Sequence, residues 1–273
     1  MSKYLTKELP PIEIAWIRFS VFVLIMLPAI VLRPGGNVLR TTRPVLQVLR
    51  GVGLVASSLF FIWGLRYLPI AEASATAFVA PVFVTCLSIV VLAEKVGVRR
   101  WIATIVGLVG VLIVVRPGTD AFHPAAFFPI TSALGWAFAL VLTRQISGSD
   151  RPVTTMAYSA IVGLAVLTAL VPFVWVTPPW TQVLIAIGIG VSSTAGHWIV
   201  VLAYRHADAS VLAPFTYSQL VWVSILGFVM FADLPDRWTV LGAAIIICSG
   251  LYIAHRERVR KLRRVAAEAY PSA

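Results

Sequence analysis

The sequence predicts an all-α polytopic membrane protein of about nine helices, built as an inverted repeat, and three observations lead there. Hydrophobic residues make up 59% of the 273 residues and charged residues only 12%, at a mean hydropathy of +0.92. No soluble fold covers that much apolar surface with polar side chains. The apolar residues also fall into successive runs of about 20, the helix length that crosses a hydrocarbon core of ~30 Å. Finally, part of the second half of the chain repeats part of the first.

The runs lie near 12–32, 46–66, 70–92, 100–116, 124–145, 153–175, 181–204, 209–231 and 238–254. Short Pro- and Gly-containing segments separate them, such as Arg33-Pro34-Gly35-Gly36 and Arg116-Pro117-Gly118, which stop one helix and turn the chain toward the next. No soluble domain or linker interrupts the series, and no run has the cleavage pattern of a signal peptide. Cys86 and Cys248 both sit inside apolar runs, where they act as small hydrophobes rather than as a disulfide framework.

Lys and Arg resist translocation and collect on the cytoplasmic side. With the C-terminus inside, the inner segments hold sixteen of the 22 basic residues: Arg33, Arg40, Arg43, Arg50, Lys95, Arg99, Arg100, Arg144, Arg151, Arg205 and six in the tail. The outer segments hold five, Lys3, Lys7, Arg66, Arg116 and Arg237, which leaves Arg18 as the one basic residue outside this split. This orientation puts the N-terminus outside if the chain starts at Met1. The net charge of +11 calls for no nucleic-acid partner, because a basic tail beside a bilayer rests on anionic lipid headgroups.

The repeat is weak but consistent. Arg66 matches Arg205 and Glu94 matches Asp233, both at an offset of 139 (205 − 66), while Arg100-Trp101 matches Arg237-Trp238. An odd number of spans separates the two units, so they insert with opposite orientation, a construction typical of secondary transporters with a site between the halves. Ala15-Trp16 matches Ala157-Tyr158 at an offset of 142 (157 − 15), which leaves the run at 124–145 with almost no counterpart before Met1. The expectation is a start codon assigned too late, since a helix without its partner would expose small-residue faces to lipid.

The segments from Leu65 to Gly118 and from His206 to Gly250 resemble the two repeats of the EamA-type drug/metabolite transporter superfamily. The resemblance implies ten helices as two inverted five-helix units, divided here as 1–119, 120–256 and a basic cytoplasmic tail at 257–273. It also implies cytoplasmic termini and alternating-access movement of small organic metabolites such as amino acids, cofactors or drug-like solutes. The absent first helix departs from that pattern.

Ionisable and polar groups inside the spans are the candidate solute-binding residues, because each costs several kcal/mol in hydrocarbon unless it faces a wet cavity or a partner. Arg18 lies ~9 Å of helix rise inside its span and suits an anionic group as a forked donor. It also fits snorkelling, or pairing with Glu13 or Glu72. His197 suits proton coupling or donation to a solute, and equally a structural hydrogen bond beside Ser192, Ser193 and Thr194. Tyr217 and Gln219 offer polar atoms near mid-membrane where Pro214 loosens the helix, and Pro81 marks a second helix break. Trp136 offers a stacking wall. Pairs of small residues four apart, Gly53 with Ser57 and Ser192 with Gly196, suit close helix contacts.

The sequence has no GxxxxGK[ST] loop, HExxH or GxSxG, which argues against ATP as the driving force and against a metalloenzyme. No cofactor or metal is expected. The sequence therefore reads as a secondary transporter of the cytoplasmic membrane that moves a small organic solute, with proton coupling and a homodimer as the accompanying expectations. The rival readings are an inactive fragment and an intramembrane enzyme using Ser193 or His197.

Overall fold

The computed structural model describes residues 2–31, 38–93, 97–119, 122–146, 149–206, 219, 222–231 and 234–269. These form α1 (Ser2–Leu5), α2 (Pro11–Val31), α3 (Pro44–Tyr67), α4 (Ile70–Ala77), α5 (Ala80–Leu92) and α6 (Val98–Val115) in the first half. The second half holds α7 (Phe127–Ile146), α8 (Pro152–Leu170), α9 (Trp180–His206), α10 (Trp222–Phe231) and α11 (Arg237–Ala269). Among the described residues six helical segments are long and apolar enough to cross a membrane, the stacked α4–α5 pair counting as one. Three shorter apolar helices accompany them, at Trp101–Val115, Trp222–Phe231 and Arg237–Tyr252.

Local chemistry sets the helix ends. Proline stands in the first turn of α3, α5 and α8, where its missing N–H costs no helical bond and its φ is already helical. At the other end, α5 and α6 stop in left-handed residues, Ala93 (φ 52°) and Arg116 (φ 49°), whose N–H groups bond back to the Ser88 and Leu112 carbonyls. The span at 70–92 pauses at Phe78–Val79, where tight backbone bonds to Ala75 and Thr76 replace the helical ladder, and Pro81 sits in the first turn of the restarted helix. Pro214 and Tyr217 lie outside the described residues.

The helices pair in a pattern that follows the repeat. With α2, α3 and α6 equivalent to α8, α9 and α11, the α2–α8 and α6–α11 contacts map onto themselves, and α3–α8 exchanges with α2–α9. Two crossings, α3–α7 and α6–α11, bring backbones together through glycine. A Cβ on Gly135 of α7 would stand 2.9 Å from the Gly53 carbonyl of α3, and one on Gly110 of α6 would stand 2.8 Å from the Gly242 carbonyl of α11. Such close approach maximises van der Waals contact, which drives helix association where lipid is as apolar as the side chains. A buried cluster of Leu5, Ile14, Phe19, Val55, Leu59, Leu167 and Ala186 ties α1, α2, α3, α8 and α9 together.

Polar anchors repeat as well. The helix starts Pro44-Val-Leu-Gln47-Val-Leu and Pro179-Trp-Thr-Gln182-Val-Leu align at an offset of 135 (182 − 47). That register also matches Gly53 with Gly188, Ser57-Ser58 with Ser192-Ser193, and Trp63 with Trp198. The Gln47 amide donates to Asp150 (2.7 Å) and to Thr155 (3.1 Å), while the Gln182 amide donates to Glu8. Asp150 and Glu8 are themselves equivalent at the 142 offset (150 − 8), so one hydrogen bond is the repeat image of the other.

Partial burial would raise the Asp150 carboxyl, but hydrogen bonds from Thr41, Gln47 and the Thr42 N–H, with the Arg43 charge, hold it below the ordinary carboxylate range. Asp236, in the segment before α11, behaves alike. Burial opposes ionisation there, but Thr239 and an ion pair with Arg116 at 2.9 Å outweigh it and lower its pKa.

Candidate functional site

Three helices distant in sequence bring aromatic and basic groups together. Phe22 of α2 and Trp136 of α7 both face the His197 imidazole of α9, with ring centroids 6.4 and 6.3 Å away, the tryptophan edge-on at 79°. Trp136 keeps 37% of its surface exposed and His197 is half-buried, so both remain open to a ligand. Edge-on aromatic arrangements leave a ring face free for stacking.

Arg18 precedes Phe22 by one turn on α2 and therefore shares its face. Its side chain is half-buried. Its guanidinium lies 5.2 Å from the Phe19 ring, and among the described residues no carboxylate or carbonyl accepts from it. Neither carboxylate weighed as its partner takes that role. Glu13 accepts from the Val176 N–H at 3.2 Å, and Glu72 feels the charges of Arg116, Asp236 and His123.

Arg50, which the charge count groups with the cytoplasmic loops, is half-buried on α3 and acts on the same imidazole. Its Nε donates to Thr143 Oγ1 at 2.7 Å, and its Nη1 donates to the Thr155 carbonyl at 3.3 Å and to Ser159. All three acceptors are neutral. Both guanidinium groups act electrostatically on His197. The sequence contains the signal that reveals Arg50, since it falls inside the apolar run at 46–66. Phe22 carries no such signal, being one apolar residue among many on α2.

Gln219 is helical and exposed, and no contact among the described residues joins it to Trp136 or His197. An open groove of about 490 Å³ lies along α2 and is lined by Trp16, Ile17, Val21, Trp175, Val183 and Ile187, without Arg18, Trp136 or His197. It presents almost no polar atoms and so lacks the groups that orient a solute.

A bundle of membrane-spanning helices with aromatic and basic side chains meeting between α2, α7 and α9 defines a multi-pass membrane protein. Comparison with known proteins narrows that class. The chain matches the EamA-like transporter family over residues 1–116 and again over 123–254, and it belongs to that family. It is 31% identical to an S-adenosylmethionine uptake transporter of Rickettsia prowazekii over 94% of this chain and 87% of that one. It is also 31% identical to a riboflavin transporter of Vibrio cholerae over 94% of this chain and 86% of that one.

A solved crystal structure of 19% identity superposes with a TM-score of 0.67, over 96% of this chain and 92% of the other, and shows the same fold. The protein is thus a multi-pass membrane transporter of a small metabolite rather than an enzyme.

Proposed function

We propose that the chain is a secondary active transporter that moves a small organic solute across the cytoplasmic membrane by alternating access, with Arg18, Trp136 and His197 in its solute site. The observation that carries this reading is the meeting of Phe22, Trp136 and His197 from α2, α7 and α9. A site shared by helices from both segments at 1–119 and 120–256 changes its exposure whenever one segment rocks against the other. His197 is the group suited to proton coupling, since it alone in this cluster titrates near physiological pH in its ordinary state. The C-terminus, with its basic tail on anionic lipid, is cytoplasmic in this reading. The S-adenosylmethionine and riboflavin named for the relatives both carry planar rings, in keeping with an aromatic-walled site.

The test is untargeted mass spectrometry of medium and cell extract from cells carrying this chain, against cells carrying His197→Leu. The expected result is one unmodified solute redistributed between the compartments by the parent chain and not by the variant. Chemical conversion of a metabolite, or no redistribution from a well-inserted protein, would contradict the carrier reading.

A further inference from the structure

Resting on the carrier reading, the geometry points to an organic anion as the solute: a carboxylate or phosphate group on Arg18 and a planar group against Trp136, Phe22 and His197, with Arg50 supplying further positive potential. Two guanidinium groups within membrane-spanning helices are the starting observation. Each is costly at that depth unless solvated or neutralised. Arg50 spends its described hydrogen bonds on Thr143, the Thr155 carbonyl and Ser159, which hold the side chain in place without cancelling its charge. Among the described residues Arg18 has only the Phe19 ring.

The carboxylates with described side chains lie beside other groups, Glu72 near Arg116, Asp236 and His123. Glu13 takes the Val176 N–H, Glu8 takes Gln182, Asp150 takes Thr41 and Gln47, and Asp236 takes Arg116. Two positive charges therefore act on the aromatic cluster at His197, and among the described residues no carboxylate is hydrogen-bonded to either guanidinium. A low-dielectric cleft of one sign concentrates ions of the other. Guanidinium adds a forked geometry that matches carboxylate and phosphate oxygens. The partly open Trp136 ring and the His197 imidazole give a planar group its wall.

The test uses iodide and neutral acrylamide as probes, because neither requires the solute to be known. Quenching of Trp136 is obtained as the difference between the parent protein and Trp136→Phe in lipid nanodiscs at constant ionic strength. Iodide should quench Trp136 on the order of threefold more effectively, relative to acrylamide, than it quenches the remaining tryptophans. Arg18→Gln should remove that preference and Arg18→Lys should retain it. Equal quenching by both probes in the parent, or an iodide preference unchanged in Arg18→Gln, would overturn the proposal.

The solute recovered by mass spectrometry gives the second readout. A neutral or cationic solute would overturn the anion assignment while the carrier reading stood. Absence of any redistribution would count against the carrier reading, and the iodide ratio would still decide whether the cavity attracts anions.

Discussion

α3 and α9 begin with the same six-residue pattern and carry the same glycine, serine pair and tryptophan further along, yet they stand in different surroundings. On α3, Gly53 meets the Gly135 carbonyl of α7, and Ser132 of α7 donates to the Ser57 carbonyl at 2.7 Å. On α9, a Cβ on Gly188 or Gly196 would meet no described atom within 4 Å, and Ser192, Ser193 and Leu184, the last at 66%, are exposed. Among the described residues, one sequence pattern thus meets a packed helix crossing in one repeat and no close neighbour in the other.

The repeats teach a second lesson where they disagree. Gln47 and Gln182 agree, and both serve as anchors at helix starts. By contrast Arg50 stands opposite Ile185, His197 opposite Ile62, and Arg18 opposite Ala160. The groups assembled around the candidate site are those the symmetry does not require. Scaffold residues follow the repeat, and site chemistry sits at departures from it.

Four measurements would break or sharpen this contrast. The largest effect is expected for Arg18→Ala, which gives α2 the side chain found at its equivalent position on α8. Loss of a charged hydrogen-bond donor to a solute is worth about 1.5–3 kcal/mol, so flux should fall at least about tenfold while membrane levels stay unchanged. Next comes the glycine pair. Gly53→Leu overpacks against the α7 backbone and should lower stability by about 1–3 kcal/mol, visible as a drop in melting temperature in detergent. Gly188→Leu, at the equivalent place on α9, should leave that temperature nearly unchanged, and equal losses in both would refute the difference in cover.

A smaller effect is expected at the anchors. Gln47→Leu leaves the Asp150 carboxylate short of a buried donor and should cost about 1–3 kcal/mol. Gln182→Leu should cost less, because Glu8 is solvent-exposed and can turn to water. The smallest concerns pH. The folded protein holds Asp150 below its unfolded pKa, so its contribution is present above an unfolded value of about 3.9 and is lost as pH falls through the lower folded value. Asp150→Asn should therefore flatten the acid limb of a melting-temperature profile and lower the plateau at neutral pH.

Much of the fold is legible in the sequence because the bilayer constrains it so strongly. A helix must be long and apolar enough to cross, and charge and proline mark where it ends. The start of α3 at Pro44 and the pause before Pro81 follow from local backbone chemistry alone. The site is less legible. Trp136 and His197 stand out as single residues, but nothing in hydropathy shows that both meet Phe22, since that depends on how α2, α7 and α9 are rotated. Gln219 stands out equally and has no described contact with the cluster.

The alignment of α3 with α9 is obscured by register. Their N-terminal halves match at an offset of 135 and their C-terminal ends at 139, so α9 carries four extra residues between Trp198 and Arg205. Four residues are about one helical turn, which preserves the faces while breaking a single-offset comparison.

The central claim, that His197 borders a wet cavity between the helices rather than lipid, is tested most directly by thiol labelling. In a chain with Cys86 and Cys248 replaced by serine, His197→Cys should react with a membrane-impermeant thiosulfonate, and the transported solute should slow that reaction. Leu184→Cys, on the exposed apolar face of α9, should react slowly and without protection. Failure of His197→Cys to react from either side of the membrane, or labelling indifferent to solute, would contradict the account.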